Sequence, residues 1–139
     1  IVSLYSAIVN GVPDMRVAQY NSAFDKDQIF YFDVMGGEAE DWNPKLVESL
    51  DAITAAAPNF RHYMAPGPVH CIHPYDFFYD REVDGTSYAD WLYDLAHGET
   101  MPETVACDGD DCLSDPICDG CADGTLTDPG CGWCQGWGD

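Results

Sequence analysis

The sequence predicts an α/β chain, with parallel strands joined by helical crossovers and a cysteine-rich tail. Three observations carry this. Residues 15–20 and 60–64 are short runs of strand formers. Between them lie two stretches with helical hydrophobic spacing, residues 25–35 and 43–57. At about Thr104 the composition changes, and residues 107–139 hold eight Asp and six Cys but no Lys, Arg or His. Strand, helix, helix, strand and loop in that order read as the back half of an α/β sheet protein.

Each element has a local cause. Residues 1–9 carry a helical stripe of Ile1, Val2, Leu4, Tyr5, Ile8 and Val9, which Asn10-Gly11 ends. Pro13 opens a turn into the strand at residues 15–20. The helix at 25–35 places Ile29, Phe30, Phe32 and Val34 at helical spacing and breaks at Gly36-Gly37. The helix at 43–57 starts with Pro44 in its first turn, and Pro58 stops it. Its buried face is Leu46, Val47, Leu50, Ile53 and Ala57. After the strand at 60–64, the rigid loop Ala65-Pro66-Gly67-Pro68 delivers Val69-His70-Cys71. Residues 77–81 and 82–83 read as extended pieces around the hairpin dipeptide Asp84-Gly85. Ser87 caps a helix over 88–97, with Asp90 in its first turn and Gly98 at its end. Residues 1–104 form one unit. Residues 105–139 form an irregular acidic tail too poor in apolar residues for a core of its own, so it needs disulfides, a metal or a docking surface.

Composition limits function. The 139 residues include 25 acidic and 5 basic side chains, a formal net charge of -20. Such a chain cannot neutralise a run of phosphates, which excludes nucleic acid as a partner, and an anionic membrane surface is disfavoured likewise. No apolar stretch is long enough for a transmembrane helix. Residues 1–11 lack an initiator Met and a basic n-region, so no intact secretory signal is read there. A chain opening at Ile1 is expected to be a processed, trimmed or partial product. Asp outnumbers Glu, and the charge is spread over the whole length, which fits a secreted protein, with a salty marine or halophilic setting as one option.

Seven cysteines, Cys71, Cys107, Cys112, Cys118, Cys121, Cys131 and Cys134, point to an oxidising compartment and disulfides. The number is odd, so one thiol is free or pairs outside the chain. The spacing Cys118-x2-Cys121-x9-Cys131-x2-Cys134 also fits a four-thiolate zinc knuckle, but the secreted setting favours disulfides. Asp108, Asp110, Asp111 and Asp115, and Asp119, Asp123 and Asp128, could hold Ca²⁺, although no EF-hand pattern fits and solvated acidic loops are the simpler reading. The expected cofactor set is therefore none, with Zn²⁺ or Ca²⁺ as alternatives. Trp42, Trp91, Trp133 and Trp137 are candidate sugar-stacking residues. Trp91 fits the core of its helix, whereas Trp133 and Trp137 are expected to dock on a neighbouring surface.

The candidate catalytic residues are Asp25 and His70. Each follows a predicted strand, and in open α/β sheets catalytic groups gather at the carboxyl ends of strands. A carboxylate beside an imidazole fixes its tautomer and stabilises its charged form. His62 sits inside a strand and is expected to be packed. His73 could line the pocket, and two histidines alone, His70 and His73, do not make a metal site.

The segment Asn21-Ser22-Ala23-Phe24-Asp25-Lys26-Asp27-Gln28 resembles the "N-A-A-[YF]-D-x-x-Q" run of the pectin acetylesterase/Notum family of α/β-hydrolases. Residues 60–99 resemble the C-terminal part of its bacterial members, where "F-R-x-Y-x-A-P-G-x-x-H-C-I" precedes "F-Y-x-x-E-V-x-G-x-x-x-x-D-W". The likeness spans roughly residues 1–112. It implies the C-terminal portion of an α/β-hydrolase-like parallel sheet with flanking helices, with Asp25 as triad acid and His70 as general base. The family's nucleophile elbow is absent. None of Ser3, Ser6, Ser22, Ser49, Ser87 and Ser114 lies in a strand-Gly-x-Ser-x-Gly-helix context, and Gly85-Thr86-Ser87 follows a hairpin.

The expected function is therefore an extracellular serine carboxylesterase, or its C-terminal part, that removes acyl (by analogy acetyl) esters from a polysaccharide. Its serine would come from the upstream half of the same precursor or from a companion chain. The alternative is a non-catalytic assembly subunit, compatible with a homo-oligomer, that uses the tail for subunit contacts. A metal-binding tail on a remnant domain is a third reading.

Overall fold

The centre of the computed structural model, which describes residues 1–135, is a sheet of three parallel strands. In chain order the elements are α1 (Val2–Gly11), β1 (Val17–Ser22), α2 (Lys26–Val34), α3 (Trp42–Ala56), β2 (Phe60–Ala65), α4 (Phe77–Asp80), β3 (Glu82–Val83), β4 (Thr86–Ser87), α5 (Tyr88–His97), β5 (Val105–Ala106) and α6 (Pro116–Asp123). Short 3-10 turns lie at Ala39–Asp41, Gly109–Leu113 and Pro129–Trp133.

The sheet order is β1-β2-β5. β1 and β2 run in register from Val17↔Phe60 to Ser22↔Ala65, and β5 adds Tyr63↔Val105 and Met64↔Ala106 on the other side. β2 is central, and every residue in it except Arg61 is buried. A parallel strand covered on both faces is buried along nearly its whole length rather than at alternate residues. Tyr63 faces α5, where its ring meets Tyr88 and Trp91. His62 and Met64 line the opposite face with Leu50 of α3. Leu50, Ile53 and Ala57 are buried, and Leu46 and Val47 pack partly against them, as the helical stripe predicts. His62 and Trp91 are buried too, again as predicted. The α5 cap forms as read, with Ser87 Oγ accepting from Asp90 N at 3.4 Å. β3 and β4 pair as an antiparallel hairpin around Asp84-Gly85.

Several expectations need correction. Residues 77–80 are a helical turn, not an extended piece. The Asp76 carbonyl accepts from Tyr79 N and Asp80 N, and the fully buried Phe77 is drawn into the core, so tertiary packing outweighs the aromatic preference for strand. β1 starts two residues later than predicted and runs on to Ser22, because Asn21 and Ser22 find partners in Met64 and Ala65. α1 continues through Asn10 and Gly11 instead of stopping before them. The tail is not wholly irregular. Asp115 accepts from Ile117 N to cap α6, Pro116 occupies its first turn, and Gly124 ends it at φ 79°.

The tail is fastened both covalently and by docking. Its disulfides are Cys107–Cys112, Cys118–Cys134 and Cys121–Cys131. Cys71, a disulfide candidate from sequence, is exposed and has no such partner among the described residues. Cys107 N donates to Met64 O, and Gly67 N donates to Cys112 O, each at 3.0 Å. Arg81 and Asp115, both buried, form a two-pronged ion pair with bonds of 2.6 and 3.1 Å. No helix among the described residues is long and apolar enough to cross a membrane. The disulfides point to an oxidising compartment.

Candidate active site

Beyond the ends of β1 and β2 the two chains stay joined. Ala23 N donates to Ala65 O, Phe24 N to Gly67 O, and Lys26 N to Pro68 O, at 2.8, 3.1 and 3.3 Å. Ser22 Oγ adds a bond of 2.5 Å to Val69 O. This seam carries Asp25 and His70 to the same place at the carboxyl end of the sheet. Gly67 is needed in it, because its φ is +80° and a Cβ there would overlap the Asp115 side chain.

Asp25 is the N-cap of α2. Its Oδ1 accepts from Asp27 N and Gln28 N at 3.1 and 3.0 Å, and its Oδ2 accepts from Gln28 Nε2 at 3.0 Å. The carboxyl group is 1% exposed, and His70 Nδ1 lies 2.8 Å from Oδ2 and 2.9 Å from Oδ1. A carboxylate only accepts, so Nδ1 carries a proton, and in the neutral ring the lone pair then belongs to Nε2. The imidazole is 34% exposed, and Nε2 has no hydrogen bond among the described residues. The ring is thus oriented through one nitrogen with the other left open, and the two residues singled out from sequence are in direct contact.

The remaining residues fall as follows. No serine hydroxyl among the described residues bonds to His70; that of Ser22 is committed to Val69, and that of Ser87 caps α5. Cys71 adjoins His70, but burial, and then Asp25 and Asp27, push its thiol above the usual range, so it is not an activated thiolate. His73 has no hydrogen bond to the pair, and its Nε2 shares a 3.1 Å hydrogen bond with the Tyr88 hydroxyl. Burial, then Tyr20, pushes that phenol up to about 12. Trp42 packs edge-on against Phe32. Trp137 lies outside the described residues.

Trp133, expected to dock on a neighbouring surface, packs in part on its own chain, with Nε1 donating to the Tyr75 hydroxyl at 2.9 Å. Its ring centroid is 6.0 Å from that of His70, and Lys26 Nζ is 5.6 Å from the indole centroid. Sequence reading missed this neighbour because 63 positions separate the two in the chain. It also missed Gln28, although the Asp25-x-x-Gln28 spacing is that of a capping box.

No group of three His, Cys, Asp or Glu side chains converges as a metal cage among the described residues. The four sulfurs of the zinc alternative are joined as Cys118–Cys134 and Cys121–Cys131. Cavities of about 440 and 370 Å³ lie elsewhere, beside Glu82, Asp84 and Asp108, and between α3 and His62. No protein-family model, curated protein or solved structure matches the chain. The arrangement is a carboxylate-held imidazole at the carboxyl end of a parallel sheet, a geometry able to support proton transfer.

Proposed function

We propose that this chain is the acid–base portion of an extracellular serine carboxylesterase of pectin acetylesterase/Notum type, acting on acyl esters, acetyl by analogy, of a polysaccharide. The contact of Asp25 with His70, which leaves Nε2 open, carries the reading. A serine from an upstream segment of the same precursor, or from a companion chain, loses its proton to Nε2 as its oxygen attacks the acyl carbonyl. The imidazolium, stabilised by Asp25, then protonates the departing sugar alkoxide. Water activated by the same nitrogen hydrolyses the acyl-serine and releases the acid.

The outer edge of β1 supports a supplied segment. It has no strand partner among the described residues, and a cavity of about 440 Å³ beside it is lined by Gln19, Asn21, Trp42 and Leu46. Asn21 Nδ2 and Trp42 Nε1 are buried there without hydrogen-bond partners. Leu4 of α1, Phe30 and Val34 of α2, and Ile1 just before α1 are exposed apolar side chains. Open edges and bare apolar surface call for a covering partner.

The same edge favours a second reading, a non-catalytic assembly subunit. A fluorophosphonate probe of serine hydrolases, read by denaturing mass spectrometry, separates the two. The esterase reading expects labelling of a larger precursor or companion chain, lost with His70→Ala. The assembly reading expects no labelled species, unchanged oligomerisation in His70→Ala, and symmetric contacts through residues 107–139.

A further inference from the structure

We propose that the cavity between α3, β2 and the start of the tail binds an aliphatic diammonium ion, with Asp51 and Asp108 taking its two ends. This site stands apart from Asp25 and His70 and does not depend on the esterase reading.

The cavity is about 370 Å³, a size that takes a small ligand. Its two carboxylates come from different elements, Asp51 from α3 and Asp108 from the chain just after β5. No Lys or Arg among the described residues lines it, and none of these residues forms an ion pair with either carboxylate. Asn43 adds another acceptor, because its Nδ2 is spent on Ala23 O at 3.0 Å and its Oδ1 remains. The rest of the wall is largely apolar, with Leu50, Met64 and the Cys107–Cys112 disulfide in it.

His62 points to a ligand independently of these charges. The side chain lines the cavity and is only 6% exposed, and its Nδ1 is buried with no hydrogen-bond partner. A buried nitrogen left unpaired calls for a partner that the chain itself does not supply. Burial, partly offset by Asp51, holds the ring below the ordinary imidazole value, so at neutral pH it is uncharged and one nitrogen can accept a hydrogen bond. Acceptors set around an apolar wall complement a cation with N–H donors and a hydrocarbon body. A single metal ion is a poor match, because no three His, Cys, Asp or Glu side chains converge there among the described residues. Two carboxylates on separate elements suit two ammonium groups joined by methylenes, one of which also donates to His62. Asp51 belongs to the sheet unit and Asp108 to the tail, so the ligand fastens one to the other.

The test is a titration of the full chain with linear terminal diamines, from diaminopropane to diaminooctane. It is followed by NMR of the His62 ring, whose signal is the one missing from His62→Phe. The diamines are expected to move that signal, with affinity highest at one chain length. Asp51→Asn and Asp108→Asn should each weaken binding about tenfold. Asp33→Asn removes the same charge from an exposed position on α2 and should change affinity by less than about twofold. Ca²⁺ at matched ionic strength should leave the His62 signal in place. The proposal is overturned if no diamine moves the signal, if Ca²⁺ moves it as far, or if affinity has no optimum in chain length. It is overturned too if Asp33→Asn weakens binding as much as the site variants do, which marks general attraction to a chain of net charge -20. None of these outcomes involves ester hydrolysis, so this proposal and the esterase reading fail separately.

Discussion

At the scale of single residues, Asp25 holds two roles that one substitution can separate. As an N-cap it satisfies the backbone of α2, and as a carboxylate it orients His70. Asparagine retains an oxygen for the cap but not the charge that supports an imidazolium. Asp25→Asn should therefore fold with a near-native melting midpoint, while under the proposed esterase function probe labelling falls by about 10³–10⁴-fold. Arg81 and Asp115 behave differently, because each is buried and the other is its charge partner. Burial works against the Arg81 charge, but Tyr20 and Asp115 outweigh it and hold the guanidinium above its usual range. Arg81→Met alone leaves a buried carboxylate unpaired and should lower stability by roughly 3–5 kcal/mol in urea unfolding, with Arg81→Met/Asp115→Leu recovering much of the loss. Asp25 and His70 were legible as a pair because both follow strands and because the runs around them resemble the pectin acetylesterase/Notum segments. The Arg81–Asp115 bridge was not, since nothing local marks a partner 34 residues away.

At the scale of elements, most of the fold could be read from period and punctuation. The α3 stripe and the Ser87 and Gly98 boundaries of α5 are local signals, and the structure follows them. α4 and β5 were missed for one reason. Each is only a few residues long and takes its conformation from what it packs on, Phe77 in the core and Met64 in β2. The seam between Ala23–Lys26 and Ala65–Pro68 is a third such case, and Gly67 is its weak point. Gly67→Ala meets both a left-handed φ and Asp115, so it should lower the melting midpoint and loosen His70 together, seen as a loss of labelling larger than the loss of folded protein. β2 supplies a pH effect. Burial, partly offset by Asp51, holds His62 below the ordinary imidazole value. The unfolded chain therefore takes up this proton first. The stability contribution is complete above about pH 6.5 and is lost as pH falls from there toward the folded value. Urea midpoints should drop less between about pH 7 and pH 5.5 in His62→Phe than in the wild type.

At the scale of the whole molecule, the tail was legible as something needing staples, but not as a brace. Composition announces disulfides; it does not announce that the stapled piece grips the loop carrying His70. The grip runs through Gly67 N to Cys112 O, Asp76 N to Asp128 Oδ2, and Trp133 to Tyr75. The Cys118–Cys134 link spans 16 positions, worth about 3 kcal/mol in the chain-entropy model. Cys118→Ser/Cys134→Ser should lower the thermal midpoint and shift Trp133 emission toward that of a solvated indole. The bracing also has a temporal side. Ribosomes deliver Asp25 and His70 well before residues 107–134, and the bonds that steady the loop wait for those residues to emerge and be oxidised. During biosynthesis the Asp25–His70 contact can therefore form before its loop is braced, and the oxidising compartment that joins the tail's cysteines also completes the brace.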